Sequence, residues 1–144
     1  VHAATEQANH STSELRLLAQ PSELVLARKF AHRAAVAFGF DEDRCDEVVC
    51  AFNEAVTNAI RHGRADSQGH IGLSVRSDAE RLTFVVRDHG TFVGPVISAT
   101  VAVKGIPPSA ESGRGFALMA GLMDSVELHV LQDGTSVCMS KVRA

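Results

Sequence analysis

From Asp41 to Gly63, apolar side chains recur at the helical rate of about 100° per residue. Val48, Ala51, Phe52, Ala55, Val56, Ala59 and Ile60 gather on one broad arc, the face that a core helix buries. Glu54, Asn58 and His62 run as a stripe along the edge of that arc, each one turn after the last. An earlier segment has the same period. Pro21 and Ser22 open it, Leu24, Leu26, Ala27, Phe30, Ala31, Ala34, Ala35 and Phe38 supply its apolar positions, and Gly39 is its C-terminal stop. Asp41 is placed to cap the helix that follows, whose acidic first residues suit its positive end.

After Gly63 the period changes from 3.6 to 2. His70–Arg76 and Leu82–Arg87 alternate about an Asp78-Ala79-Glu80 turn and predict a hairpin. Val126–Val130 and Thr135–Met139 predict a second, joined by Asp133-Gly134. Glu14–Leu18 alternates briefly and predicts a first strand, and Val1–Ser13 reads as a flexible tail. Residues His89 to Ser112 hold Gly90, Gly94, Pro95, Gly105, Pro107 and Pro108 in a long irregular stretch, either a lid or a surface excursion. Gly113-Arg114-Gly115 then leads into a short apolar helix over Phe116–Met123. The order is strand, two helices, two strands, lid, helix, two strands. It predicts one α+β domain over residues 14–144, a two-layer sandwich with helices on one face of a mixed, mostly antiparallel sheet.

Composition narrows the function classes. A chain of 144 residues with 45% hydrophobic residues can bury the core of one domain. Its formal net charge of −3 and scattered Lys and Arg give no phosphate-tracking patch, so direct nucleic-acid binding is not expected. Cys45, Cys50 and Cys138 lack paired spacing, which predicts buried thiols in a reducing compartment rather than disulfides or a zinc knuckle. No apolar run reaches the length of a membrane span and no charged-then-apolar leader is seen, so the expected location is the cytoplasm.

Three features carry chemistry. Glu54 and Asn58 place a carboxylate and a carboxamide where a buried face meets its neighbour, suited to a base and a metal-binding oxygen. A polar stripe in that position is ordinarily just solvated. Asp88-x-Gly90 follows a strand, where Asp and Gly commonly make a turn. Gly113-x-Gly115 precedes a helix, where it serves as a tight entry or leaves bare N–H groups at a positive helix end, an anion site.

Together and in this order, these features resemble the GHKL ATPases, which include gyrase, a large heat-shock chaperone, the histidine kinases and mismatch-repair proteins. The closer likeness is to the small anti-sigma factors that double as serine protein kinases in bacterial partner switching. Glu54-Ala55-Val56-Thr57-Asn58-Ala59-Ile60-x-His62-Gly63 is similar to that branch's first motif. Ser112-Gly113-Arg114-Gly115-Phe116-Ala117-Leu118-Met119 is similar to its glycine motif, and Gly134-Thr135-Ser136-Val137 to its last strand. The likeness runs from Leu15 to Lys141.

The resemblance implies a Bergerat-type ATP-binding fold with ATP and Mg²⁺ as its ligands. Asn58 would hold the Mg²⁺, and Glu54 would take the proton from an acceptor serine hydroxyl. Asp88 would accept the adenine amino group, Gly90 would let the backbone approach the base, and Thr135 would support the adenine end. Gly113 and Gly115 would offer N–H groups to phosphate oxygens, with Arg114 directing its charge there or remaining solvated. The implied function is an ATP-dependent anti-sigma factor that binds a sigma factor and phosphorylates a serine on an anti-sigma-factor antagonist. Whether it forms a homodimer is left open.

One departure stands out. The family pattern Asp-x-Gly-x-Gly reads here Asp88-His89-Gly90-Thr91-Phe92, without the second glycine unless Gly94 serves. Two rival readings follow: a nucleotide-binding anti-sigma regulator that transfers no phosphate, and a detached ATPase domain of a histidine kinase. The second needs a phospho-accepting helix, for which the chain before Leu15 is too short.

Overall fold

In β2, β3 and β6 alternate side chains are apolar, and the pairing collects them on a single face. The computed structural model describes residues 11–62, 65–66, 68–89, 100–102 and 111–143. Six strands form one sheet: β1 (Ser11–Leu18), β2 (His70–Ser77), β3 (Arg81–Asp88), β4 (Thr100–Ala102), β5 (Ser125–Leu131) and β6 (Gly134–Val142). Their order is β1-β2-β3-β6-β5-β4. Every pairing among the described residues is antiparallel, so the mixed character expected of the sheet is not found there. Tight turns join β2 to β3 and β5 to β6 and account for two of these five pairings.

Three helices cover the apolar face: α1 (Leu24–Phe38), α2 (Glu42–His62) and α3 (Glu111–Leu122). A 3₁₀ turn over Pro21–Glu23 precedes α1. The turn and α1 both belong to the stretch that the Pro21 start predicts. Gly39 ends α1 with a left-handed φ of 101°, and its N–H bonds to Val36 O at 3.0 Å. Asp41 caps α2 as expected: its Oδ1 accepts from the Arg44 amide at 2.8 Å.

The core lies between the layers. Ile71, Leu73 and Val75 of β2, Leu82, Phe84 and Val86 of β3, and Val137 and Met139 of β6 are buried against the helices. Phe52 of α2 is fully buried, with its ring centroid 5.0 Å from Phe84 and 6.0 Å from Phe30. It ties α1, α2 and β3 together, and truncating it to Ala costs roughly 3–5 kcal/mol. Ala27, Ala31 and Ala35 on α1 and Ala51, Ala55 and Ala59 on α2 are buried at one-turn spacing. These stripes of small side chains let the helices approach closely. Lys141 of β6, 6% exposed, reaches up between α2 and α3. Its Nζ bonds to Leu122 O at 2.6 Å and to Glu47 Oε2 at 2.7 Å, holding the two helices in one relative position.

Several boundaries move. Strand β1 begins at Ser11, inside the expected tail, because Ser11, Thr12 and Ser13 continue the ladder opposite Ser77, Arg76 and Val75. Residues 1–10 lie outside the described residues. Helix α3 begins at Glu111, so Gly113, Arg114 and Gly115 belong to its first turns instead of leading into it. Within the stretch read as irregular, Thr100–Ala102 forms β4 against β5, and the rest of 90–110 lies outside the described residues. The three cysteines are free as expected, but only Cys45 is buried; Cys50 is exposed and Cys138 half-buried. Among the described residues no helix is long and apolar enough to cross a membrane.

Candidate functional site

The edge of α2 carries the first group of functional side chains. Glu54 and Asn58 are half-buried, one turn apart, flanked on the core side by fully covered Ala55, Val56 and Ala59. Across from them stands Gly115 of α3. A β-carbon on Gly115 would lie 2.7 Å from Glu54 Oε1 and 2.9 Å from Asn58 Nδ2, closer than real side-chain contacts allow. The absence of a side chain is what lets α3 come down onto the polar edge of α2. Among the described residues, Asn58 Nδ2 is buried with no hydrogen-bond partner. A buried amide with unspent bonding capacity is costly unless a ligand or water completes it. Its oxygen and nitrogen are interchangeable by rotation of the amide group, so the amide can present an oxygen to a cation.

The second group lies on the helix-facing side of the sheet. Asp88 follows Leu82, Phe84 and Val86 in the period-2 series that faces the helices and is 8% exposed. It pairs in register with Thr135 of β6, whose Oγ1 donates to Asp88 Oδ2 at 2.6 Å. This bond orients the carboxylate, an acceptor of N–H and O–H donors. Gly134 makes the arrangement possible. It has φ of +152°, and a β-carbon there would fall 2.1 Å from Asp88 O and 2.8 Å from His89 Cα. On the outer face, Arg87 Nη2 bonds to Asp133 Oδ1 at 2.8 Å, and this hydrogen bond holds the Asp133 carboxyl below the usual range. The clamp ties the β5–β6 turn to the end of β3.

Of the residues read as functional, Glu54, Asn58 and Gly115 therefore converge at the α2–α3 contact, and Asp88 and Thr135 meet at the β3–β6 ladder. Gly113 lies in the first turn of α3. The Arg114 side chain and Gly90 lie outside the described residues. Two contributors escaped sequence reading. Gly134 looks like an ordinary hairpin turn, and nothing in the chain signals that it must admit the Asp88 backbone. Nothing in the pattern of the chain marks Lys141, which braces α2 against α3.

The donor set suits a small hard cation. Among the described residues no group of three or more His, Cys, Asp or Glu side chains converges as a cage. One amide oxygen from Asn58 is the kind of protein contact that Mg²⁺ accepts when it keeps its waters and shares phosphate oxygens.

The model of the histidine kinase-like ATPase domain family matches residues 17–141. The chain is 34% identical over 102 residues to an anti-sigma F factor of Anoxybacillus flavithermus, covering 69% of this chain and 70% of that one. An anti-sigma F factor of Clostridium acetobutylicum is 30% identical over 130 residues, covering 89% and 91% of the two chains. The serine-protein kinase RsbW of Bacillus subtilis is 27% identical over 138 residues, covering 89% and 83%. A crystal structure of the RsbU and RsbW domains of a Mycobacterium tuberculosis protein superposes with a TM-score of 0.66 at 16% identity, over 92% of this chain and 32% of that one. That last likeness concerns the fold alone. The chain belongs to the histidine kinase-like ATPase domain family, in the branch of the anti-sigma factors.

Proposed function

We propose that this protein is an ATP-dependent anti-sigma factor that holds a sigma factor in one state and phosphorylates a serine on an antagonist protein in another. The observation that carries the reading is the contact of Gly115 with Glu54 and Asn58, which sets a carboxylate and an unpaired amide against the glycine-motif helix.

Each residue has a distinct task. Asp88, oriented by Thr135, accepts the exocyclic amino group of adenine and so favours ATP over GTP. Gly113 and Gly115, in the first turns of α3, keep side chains away from the path of the phosphates, and the positive end of that helix favours their charge. Asn58 holds Mg²⁺, which when bound neutralises phosphate charge. Glu54 accepts the proton from the attacking serine hydroxyl. Lys141 keeps α2 and α3 at the spacing that brings these groups together.

The test is direct. The protein is incubated with labelled ATP, Mg²⁺ and a candidate antagonist, and phosphoserine on the antagonist is measured alongside ATP affinity. Transfer supports the reading. ATP binding without transfer to an antagonist that forms a complex with the protein would favour the regulator that transfers no phosphate.

A further inference from the structure

Lys141 is a buried titratable group that takes no part in the chemistry above. Burying an ammonium can cost more than its partners return, and a buried ion pair is best attested as a device that specifies register. The lysine stands on a fixed base. Strand β6 is paired on both sides, to β3 and β5, and Lys141 lies opposite Leu82. From there its Nζ reaches Leu122 O, at the last residue of α3, and Glu47 Oε2 on α2. The ammonium end of this tie is buried and the carboxylate end half-buried. Among the described residues no other hydrogen bond or ion pair joins α2 to α3.

The place of the tie along the helices is a second observation. Glu47 lies two turns before Glu54 on the same edge of α2, and Leu122 lies two turns after Gly115 on α3. The helices are therefore antiparallel and meet at two points about 10 Å apart. The Lys141 tie is one, and the contact of Gly115 with Glu54 and Asn58 is the other. Equal spacing on both helices means that a slide at the first point reaches the second undiminished. The packing between them does little to prevent a slide. The buried side chains of α3 and the residue after it are Phe116, Met119 and Met123. Apolar contacts carry no direction, and methionine adapts its shape to its surroundings. The bonds to Lys141 are directional.

We infer that Lys141 and Glu47 are positioning residues for phosphoryl transfer, which set the register of α3 along α2. The inference rests on the function proposed above. Losing the tie lets α3 slip along α2, and one residue's rise of about 1.5 Å is enough to move Gly115 off Glu54 and Asn58. Misplacement on that scale costs on the order of 10²-fold in rate. The adenine end is built differently. Asp88 and Thr135 meet within the β3–β6 ladder, so the sheet holds them whatever the register of the helices. Loss of the tie therefore separates two events that a general loss of structure would carry down together. Phosphoryl transfer falls, and adenosine binding stays.

The test compares Lys141→Met, which keeps the apolar stem and removes the ammonium, with Glu47→Ala, which removes the partner at the half-buried end. Spin labels on Arg61→Cys of α2 and Gly121→Cys of α3, with Cys45→Ala, Cys50→Ser and Cys138→Ser, occupy exposed positions offset along the helix axes. Their separation therefore reads a slide, and each variant should shift or split it by about 1.5 Å or more. In the unlabelled chain, single-turnover transfer at saturating ATP should fall about tenfold or more, with adenosine affinity kept within about twofold. Val75→Ala, which opens the core away from the tie, controls for lost stability and should keep the rate. Combined with Gly115→Ala, Lys141→Met should cost less than the product of the two separate losses, since both displace one contact. Should Lys141→Met not fold, Glu47→Ala carries the same readings. An unchanged label distance, an equal loss of rate in Val75→Ala, or losses that simply multiply would each overturn the inference. If the wild-type protein transfers no phosphate, the proposed function falls instead. A shifted label distance then still supports the register, and an unchanged one overturns it.

Discussion

Gly115 stands so close to Glu54 that a single methyl group on its α-carbon would lie 2.7 Å from the carboxylate oxygen. Both atoms in the way, Glu54 Oε1 and Asn58 Nδ2, are ends of flexible side chains, so the clash can be relieved without moving backbone. Gly115→Ala should therefore fold. Alanine favours a helix over glycine by up to about 1 kcal/mol, which offsets part of the crowding. The cost should fall on function, because displacing Glu54 and Asn58 by about 1 Å is worth on the order of 10²-fold in rate. Thermal unfolding and phosphotransfer assays on one preparation check this. A near-wild-type rate would show that the contact does not set the reacting geometry.

Gly134→Ala makes the opposite prediction. Here the obstacle is the Asp88 carbonyl oxygen at 2.1 Å, and φ of +152° already disfavours a side chain. Backbone must move, at a cost of at least roughly 1–3 kcal/mol. Denaturant midpoints should drop, and adenine nucleotide affinity should fall with them because Asp88 is displaced.

These two glycines show where the sequence could be read and where it could not. The α2 stripe was legible because Glu54 and Asn58 share a helical period with a long apolar arc, and the hairpins because alternation and turn residues coincide. The fold class followed from their order. Neighbours across space were not legible. That Gly115 meets Glu54, or that Gly134 must clear Asp88, depends on how α3 sits on α2 and how β6 registers with β3. Lys141 was hidden for the same reason, since only the tertiary arrangement turns a strand-end lysine into a buried brace. The start of α3 at Glu111 was missed because Gly113 and Gly115 resemble an entry loop and are poor helix formers.

Thr135→Val removes the donor that orients Asp88 while keeping the shape of the side chain. The buried carboxylate then lacks one partner, a loss of roughly 1–3 kcal/mol. Calorimetry should show ATP affinity reduced by about tenfold. Asp88→Asn should reduce it further and lower the preference for ATP over GTP, because an amide can present its donor side to the adenine amino group.

Asp66 gives a prediction in pH. The His70 amide bonds to its carboxylate at 2.9 Å, and with the Gln68 amide and Arg16 it outweighs desolvation to hold the carboxyl at about 2, below the ordinary 3.8. A value lowered on folding means the stabilisation is fully present above 3.8 and is lost as pH falls through about 2. Asp66→Asn should therefore melt below wild type at neutral pH, with the gap closing between pH 3.8 and 2. A gap that stays constant across a series of thermal melts would contradict this.

The central claim is that the α2 edge performs phosphoryl transfer, and the rate with Glu54→Ala tests it most directly. Glu54 is assigned to the acceptor hydroxyl, so ATP affinity and the fold should be retained. Phosphorylation of the antagonist serine should fall by roughly 10²–10⁴, the usual contribution of a positioned general base. A Glu54→Ala protein that binds ATP normally and phosphorylates the antagonist at the wild-type rate would contradict the account.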